Sequence, residues 1–275
     1  MNYRDVLVHV KSYETWSQHI DVAGLVSHGF GARLTGLYTL RDIATLKAIL
    51  GPSAPLVKER QAKDATGAQK AESAFRAFLE RTGIEGEWKI GEGAASELLT
   101  WVGRLHDLIV VEQTNNESDE IGFDVAEQCA IASGRPTLIV PHQGLFPTVG
   151  QRILVAWNGS REAARAVQGA LPFIAKAGQV DVLLGNGKQT FSSITRYPDL
   201  NITKYLLRHT ACVEARRFDP SDAEAGAAIL DEARKLGSDL LVMGAYGRSW
   251  FSEWVLGGAT RHVLREMDLP ALMAH

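Results

Sequence analysis

The chain has 275 residues, 45% hydrophobic and 22% charged, with a formal net charge of -3. That length, against ~150 residues per domain, points to two domains able to bury sizeable cores, and the charge excludes a basic field that would recruit nucleic acid or acidic membranes. No apolar stretch approaches the ~20 residues that span a bilayer, and MNYRDVLVHV shows no signal-peptide pattern, so a cytoplasmic location is expected.

In chain order, residues 5–10 (DVLVHV) read as a strand buried on both faces, and 14–30 as a helix stopped by Gly29 and Gly31. A second strand is expected at 32–38, a short helix within 41–55, and a long polar helix over 56–82 ended by Gly83. A third strand follows at 84–90, a helix at 94–104, a fourth strand at 107–111 (DLIVV), a helix at 123–133 and a fifth strand at 136–140. Strands alternating with helices argue for a parallel sheet covered on both faces.

Residues 141–151 (PHQGLFPTVGQ) carry Pro and Gly without periodicity, and the domain boundary is expected there. The plan then repeats: strands at 152–157, 180–184, 213–218, 239–243 and 270–274, and helices at 160–175, 199–210, 222–236 and 258–267, with a polar loop over 185–198. Asp222 is expected as an N-cap and Gly237 as a helix stop. The halves overlay directly: DVLV from Asp5 on RILV from Arg152, DLIV from Asp107 on DLLV from Asp239, and RPTL from Arg135 on LPAL from Leu269. This is an internal duplication of about 140 residues, giving domains 1–143 and 150–275. The fifth strands are short, apolar and last in their sheets. They are expected to pack together as an intrachain pseudo-dimer, because each alone would be a sticky edge.

Cys129 and Cys212 form no CxxC or Cys/His cluster and are expected as reduced, buried thiols. His9, His106, His142, His262 and His275 are scattered, and each is expected to be structural or exposed. No metal spacing, catalytic triad or paired-carboxylate site stands out, and both GxGxxG and GxxxxGK[ST] are absent.

The stretch from Asp239 to His275 carries the chemistry: an apolar strand, a tight Gly244-Ala245-Tyr246-Gly247 loop, nine residues, then Gly257-Gly258 before a helix. Glycines admit an anion to backbone N–H groups, and a helix start adds uncompensated donors. This spacing, with the strand and turn ILVAWNGS at 153–160, resembles the nucleotide loop of the universal stress protein family, in its tandem two-domain form. Two positions depart from the family pattern: Gly258 stands where Ser or Thr is usual, and Asn158 where Asp is usual.

The resemblance implies an α/β fold of two tandem doubly wound five-stranded parallel-sheet domains, strand order 3-2-1-4-5, of adenine nucleotide alpha hydrolase-like type. It implies a cytoplasmic stress-response regulator binding ATP or a related adenine nucleotide, with no catalytic residues and at most slow incidental hydrolysis. Ala156, Asn158 and backbone at Leu183 would line the adenine and ribose side. Met243, Gly244, Gly247, Gly257, Gly258 and Ala259 would wrap the phosphates, with Arg248 supplying charge. Trp157 is expected to face the core on the other side of the strand, and Thr260 to be a first-turn helix residue. A nucleotide-independent interaction scaffold is the alternative. No nucleic-acid or membrane partner is implied, and a homodimer is compatible with the pseudo-dimer.

The ligand is expected in the C-terminal half alone. In the overlay Glu112 falls at the Gly244 position, Asn115 at Gly247, Asp124 at Gly258 and Lys11 at Asn158, so carboxylates stand where a phosphate would sit.

Overall fold

The computed structural model describes residues 2–11, 16–40, 42–52, 54–114, 125–185, 201–218, 220–221, 224–246 and 258–275. The first half runs β1 (Asp5–Val10), α1 (Gln18–Phe30), β2 (Arg33–Leu40), α2 (Ala44–Leu50), α3 (Pro55–Thr82), β3 (Gly86–Glu92), α4 (Ala95–Gly103), β4 (Leu108–Glu112), α5 (Val125–Ala132), β5 (Thr137–Val140). The second runs β6 (Arg152–Trp157), α6 (Arg161–Ile174), β7 (Gln179–Gly185), α7 (Ile202–Leu206), β8 (Val213–Phe218), α8 (Ala225–Leu236), β9 (Leu240–Gly244), α9 (Gly258–Glu266), β10 (Ala271–Ala274).

Each half has the order 3-2-1-4-5, and the two sheets are continuous: β3-β2-β1-β4-β5-β10-β9-β6-β7-β8. Pairing is parallel within each half. The join is antiparallel, with Leu138 opposite Leu272 and Ile139 opposite Ala271. The edges that would be sticky alone thus satisfy each other.

Strand alternation splits the core in two. Val6, Val8, Leu108, Val110, Leu138, Ile153 and Val155 meet α1, α3, α6 and α7 on one face. Leu7, Ile109, Val111, Ile139, Leu154 and Leu241 meet α4, α5, α8 and α9 on the other. Both layers run through both halves without a break, which is why the central strands are unbroken apolar runs. Gly169 on α6 sets the spacing between halves, because a Cβ there would lie 2.7 Å from Pro136 Cβ.

The duplication extends to polar detail. Asp107, just before β4, accepts hydrogen bonds from the N–H groups of Arg4 (2.8 Å) and Asp5 (3.1 Å). Asp239, its counterpart before β9, accepts from Gly150, Gln151 and Arg152 at 3.0, 3.1 and 2.9 Å. Each carboxylate pins the entry of its half's first strand.

Some expectations shift. The helix expected over 199–210 is a single turn within the described residues, capped by Asn201, whose side chain accepts from Lys204 N–H at 2.9 Å. Asp222 lies outside the described residues, and α8 starts after Glu224 without a side-chain cap. Gly237 does stop α8, at φ 61. Cys129 is buried as expected but Cys212 is exposed, because it sits in the turn entering edge strand β8 and not in the core. Among the described residues no helix is long and apolar enough to cross a membrane.

Candidate functional site

Strand order reverses between β1 and β4, and again between β6 and β9, so each half opens a crevice beyond the carboxyl ends of those strands. In the C-terminal half, Leu183, Ala156 and Met243 form one row across β7, β6 and β9. Their side chains join the core on the α8–α9 face, so a ligand reaches this row through backbone at the strand ends. Trp157 points to the opposite face and packs into the other core layer, as alternation requires. Asn158 is exposed, and its side-chain carbonyl accepts from Ser160 N–H at 3.0 Å. Ser160 in turn caps α6, accepting from Ala163 N–H at 3.1 Å.

Gly244 has a structural reason to be glycine that the sequence did not disclose. A Cβ there would meet Ala163 N at 2.6 Å and Glu162 C at 2.7 Å, because the first turn of α6 rests on it. Its neighbour Tyr246 adopts φ 51, is buried, and donates its N–H to Thr260 Oγ1 at 3.2 Å. Thr260 is therefore a first-turn residue holding the loop. Gly258, by contrast, is exposed at the amino end of α9, and a Cβ there would meet nothing within 4 Å. Ala259 follows, half-buried, and among the described residues nothing accepts from the N–H of either. Gly247, Arg248 and Gly257 lie outside the described residues.

The positive charges at this crevice come from residues that motif reasoning passed over. His275 Nδ1–H donates to Ala245 O at 2.9 Å, and Arg165 donates to the His275 carbonyl at 2.5 Å. Arg161 lies 3.4 Å from His275 Nε2 and also pairs with Glu162. Burial alone would raise the Glu162 carboxyl, but the Arg161 guanidinium, a backbone N–H and the Ser160 hydroxyl outweigh it and hold it below the ordinary range. The exposed Gly258–Ala259 helix start and the dipole of α9 offer N–H groups to an anion, while Arg161 and Arg165 gather at His275. The α9 helix start therefore fits an anionic group, and Asn158 stands exposed after β6 with its Oδ1 held by Ser160 N–H.

The N-terminal crevice is built differently. Ser17, the N-cap of α1, comes seven residues after Val10, whereas Ser160 comes three after Trp157. The helix start is set back, and Glu112 has room for a side chain where Gly244 has none. Glu112 pairs with Lys11 at 3.2 Å and accepts the Ser17 hydroxyl. Fully buried His19, which belongs to no motif, sits with Nδ1 2.9 Å from Ser17 Oγ and donates from Nε2 to His9 O at 2.6 Å. Burial raises the Glu112 carboxyl, but Ser17, His19 and Lys11 together bring it below the ordinary range, while burial pushes His19 down. The expected counterparts Asn115 and Asp124 lie outside the described residues.

The two crevices are cross-linked. Gln113, next to Glu112, donates to the carbonyls of Leu264 (2.9 Å) and Arg265 (3.1 Å) at the end of α9, and its Oε1 accepts from His142 Nδ1–H at 3.0 Å. In the other direction the Tyr246 hydroxyl donates to Glu127 on α5. Among the described residues no group of His, Cys, Asp and Glu could hold a metal ion.

The fold and its paired crevices define a tandem pair of doubly wound α/β domains. Residues 150–275 match the model of the universal stress protein family. Over the whole length the structure is similar to a universal stress protein from Archaeoglobus fulgidus, at 15% identity, TM-score 0.73, covering 99% of this chain and 96% of that one. It is also similar to a functionally unknown protein and to a putative universal stress protein, both from Pseudomonas aeruginosa. The first has 15% identity, TM-score 0.55 and coverage of 99% and 92%. The second has 15% identity, TM-score 0.53 and coverage of 99% and 93%. No curated protein matches the sequence. Residues 150–275 belong to the universal stress protein family, and the same α/β fold stands twice in tandem along the chain.

Proposed function

We propose that this protein binds an adenine nucleotide, ATP or a close relative, in its C-terminal crevice, and acts as a cytoplasmic regulatory binder in a stress response, with residues 1–143 and 150–275 as its domains. The observation that carries the reading is the amino end of α9: Gly258 is exposed and uncrowded at the switch point, its N–H open among the described residues. In the other crevice the Lys11–Glu112 pair stands at the positions of Asn158 and Gly244. When bound, the nucleotide would supply a polyphosphate whose charge the α9 dipole and the guanidiniums offset. Catalysis is not part of the proposal. Glu162 is engaged by Arg161 and His275 by Ala245, which leaves neither placed as a general base.

The competing reading is a nucleotide-independent scaffold. It is favoured by Gly244 being required for the packing of α6, and by the Tyr246 N–H being spent on Thr260. Calorimetric titration with ATP separates the two, with saturation near one equivalent per chain expected for the nucleotide reading. Gly258→Glu is the decisive variant. Its side chain has space, and a carboxylate at a helix start is stabilising, so the fold is kept. Two unit charges ~4 Å apart repel by ~4 kcal/mol at an effective dielectric near 20, which predicts a loss of about a thousandfold in ATP affinity. Absent binding by the parent would leave the scaffold reading standing, and unchanged affinity in the variant would remove the phosphate from the α9 helix start.

A further inference from the structure

The glycine loop and α9 are held at both ends by the other half of the chain. The antiparallel β5–β10 join sets α5 and α9 on the same face of the sheet, where Ala126 and Cys129 share a core layer with Val263, Leu264 and Met267. Two polar contacts cross between the halves there. Buried Gln113, just past β4, donates from its amide to the carbonyls of Leu264 (2.9 Å) and Arg265 (3.1 Å), and this holds the carboxyl end of α9. Its own Oε1 accepts from His142, from the backbone N–H at 3.3 Å and from Nδ1–H at 3.0 Å, which fixes the way the amide points. At the amino end, the N–H of buried Tyr246 donates to Thr260 Oγ1 in the first turn of α9, and its hydroxyl donates to Glu127 on α5. Tyr246 has φ 51, in the left-handed region that a bulky residue keeps only where its surroundings over-determine it. Here α9 holds it on one side and α5 on the other. The hold runs one way, because in the overlay of the halves Gln113 falls at Ala245, whose methyl can donate nothing to α5.

We propose that Glu127 and Gln113 of the N-terminal half are positioning residues for the C-terminal crevice: they fix Tyr246 and α9 in the arrangement that takes the phosphates, so nucleotide affinity is set in part from the other half. This rests on the nucleotide reading above. Neither residue touches the ligand. Each acts through the fraction of molecules in which loop and helix are already placed, and apparent affinity falls in proportion to that fraction. The bond from hydroxyl to carboxylate is charge-assisted and partly shielded from water, so its loss releases the strained Tyr246.

The test is calorimetric titration of the full chain with ATP, together with hydrogen exchange at Tyr246 and along α9 without ligand. Tyr246→Phe keeps the ring and removes only the hydroxyl, and Glu127→Ala removes its acceptor. Each should weaken ATP by about tenfold, and the double variant should lose no more than the weaker of the two, since both break one bond. Glu127→Gln keeps a carbonyl acceptor and should stay within about threefold of the parent. Gln113→Leu should weaken ATP as well. Asp107→Ala loosens a strand corner at the opposite end of the sheet and should leave ATP affinity unchanged, which separates positioning from general weakening. Parent-like affinity in both single variants, losses that multiply in the double variant, or an equal loss in Asp107→Ala would overturn the proposal. A parent that binds no ATP overturns the nucleotide reading. The hold on the loop then stands only if both single variants speed exchange at Tyr246 and residues 258–261 by at least about tenfold with α8 unchanged, and falls if they do not.

Discussion

Gly244→Ala separates packing from ligand binding at the glycine loop. The added methyl would sit 2.6 Å from Ala163 N, 2.7 Å from Glu162 C and 2.8 Å from Glu162 Cβ, and the first two are backbone atoms of a capped helix start. A flexible side chain could rotate away from such a contact, but α6 can relieve it only by shifting as a unit. Overpacking of this kind costs about 1–3 kcal/mol. Replacing glycine also restricts the unfolded chain and returns about 0.4–1 kcal/mol. The net destabilisation is about 1–2 kcal/mol, and for a chain of this size that lowers Tm by roughly 2–8 °C. Differential scanning calorimetry without nucleotide, alongside Gly258→Glu as a control with no expected loss, measures it. An unchanged or raised Tm for Gly244→Ala, together with lost ATP binding, would refute the packing argument and return Gly244 to the phosphate cradle.

Three further outcomes follow from polar groups that hold the fold. Burial holds His9 well below its ordinary value of 6.5 and His19 below the same value, so the unfolded chain takes up protons that the fold refuses. Stability is therefore full above about pH 6.5 and lost as pH falls toward the folded values, with Glu112 adding a further loss below its ordinary 4.5. Tm measured from about pH 7.5 down to 4.5 should fall, and His9→Gln should flatten the slope; a flat parent profile would contradict the burial of these imidazoles. Asp239→Ala removes the acceptor of three backbone N–H groups and Asp107→Ala that of two, so urea melts should show the former as the costlier, each by about 1–3 kcal/mol. The reverse order would mean the two corners are not equivalent. Gln113→Leu uncaps two α9 carbonyls and should cost about 1–3 kcal/mol, with faster hydrogen exchange confined to α9 and its surroundings.

The fold was legible because its signals are local. Unbroken apolar runs such as Val6–Val8 and Leu240–Val242 declare strands buried on both faces, Gly83 and Gly237 mark helix ends, and the repeated Asp before each fourth strand exposes the duplication. The short apolar fifth strands already implied that one half must cover the other, and the antiparallel β5–β10 pair does so. What the sequence could not disclose depends on which distant residues meet. Gly244 read as a phosphate glycine because its crowding by α6 arises from a residue more than eighty positions earlier. Arg161, Arg165 and His275 belong to no motif, and only the return of β10 beside β9 gathers them at Ala245. His19 belongs to no motif. It became a buried partner of Ser17 and Glu112 because the late start of α1 leaves a cavity at one end of the sheet, where α6 closes the other. Periodicity and turn chemistry are written in neighbouring residues and so determined the architecture; the charge and room inside each crevice are set by where separate helices begin, and only the tertiary structure decided those.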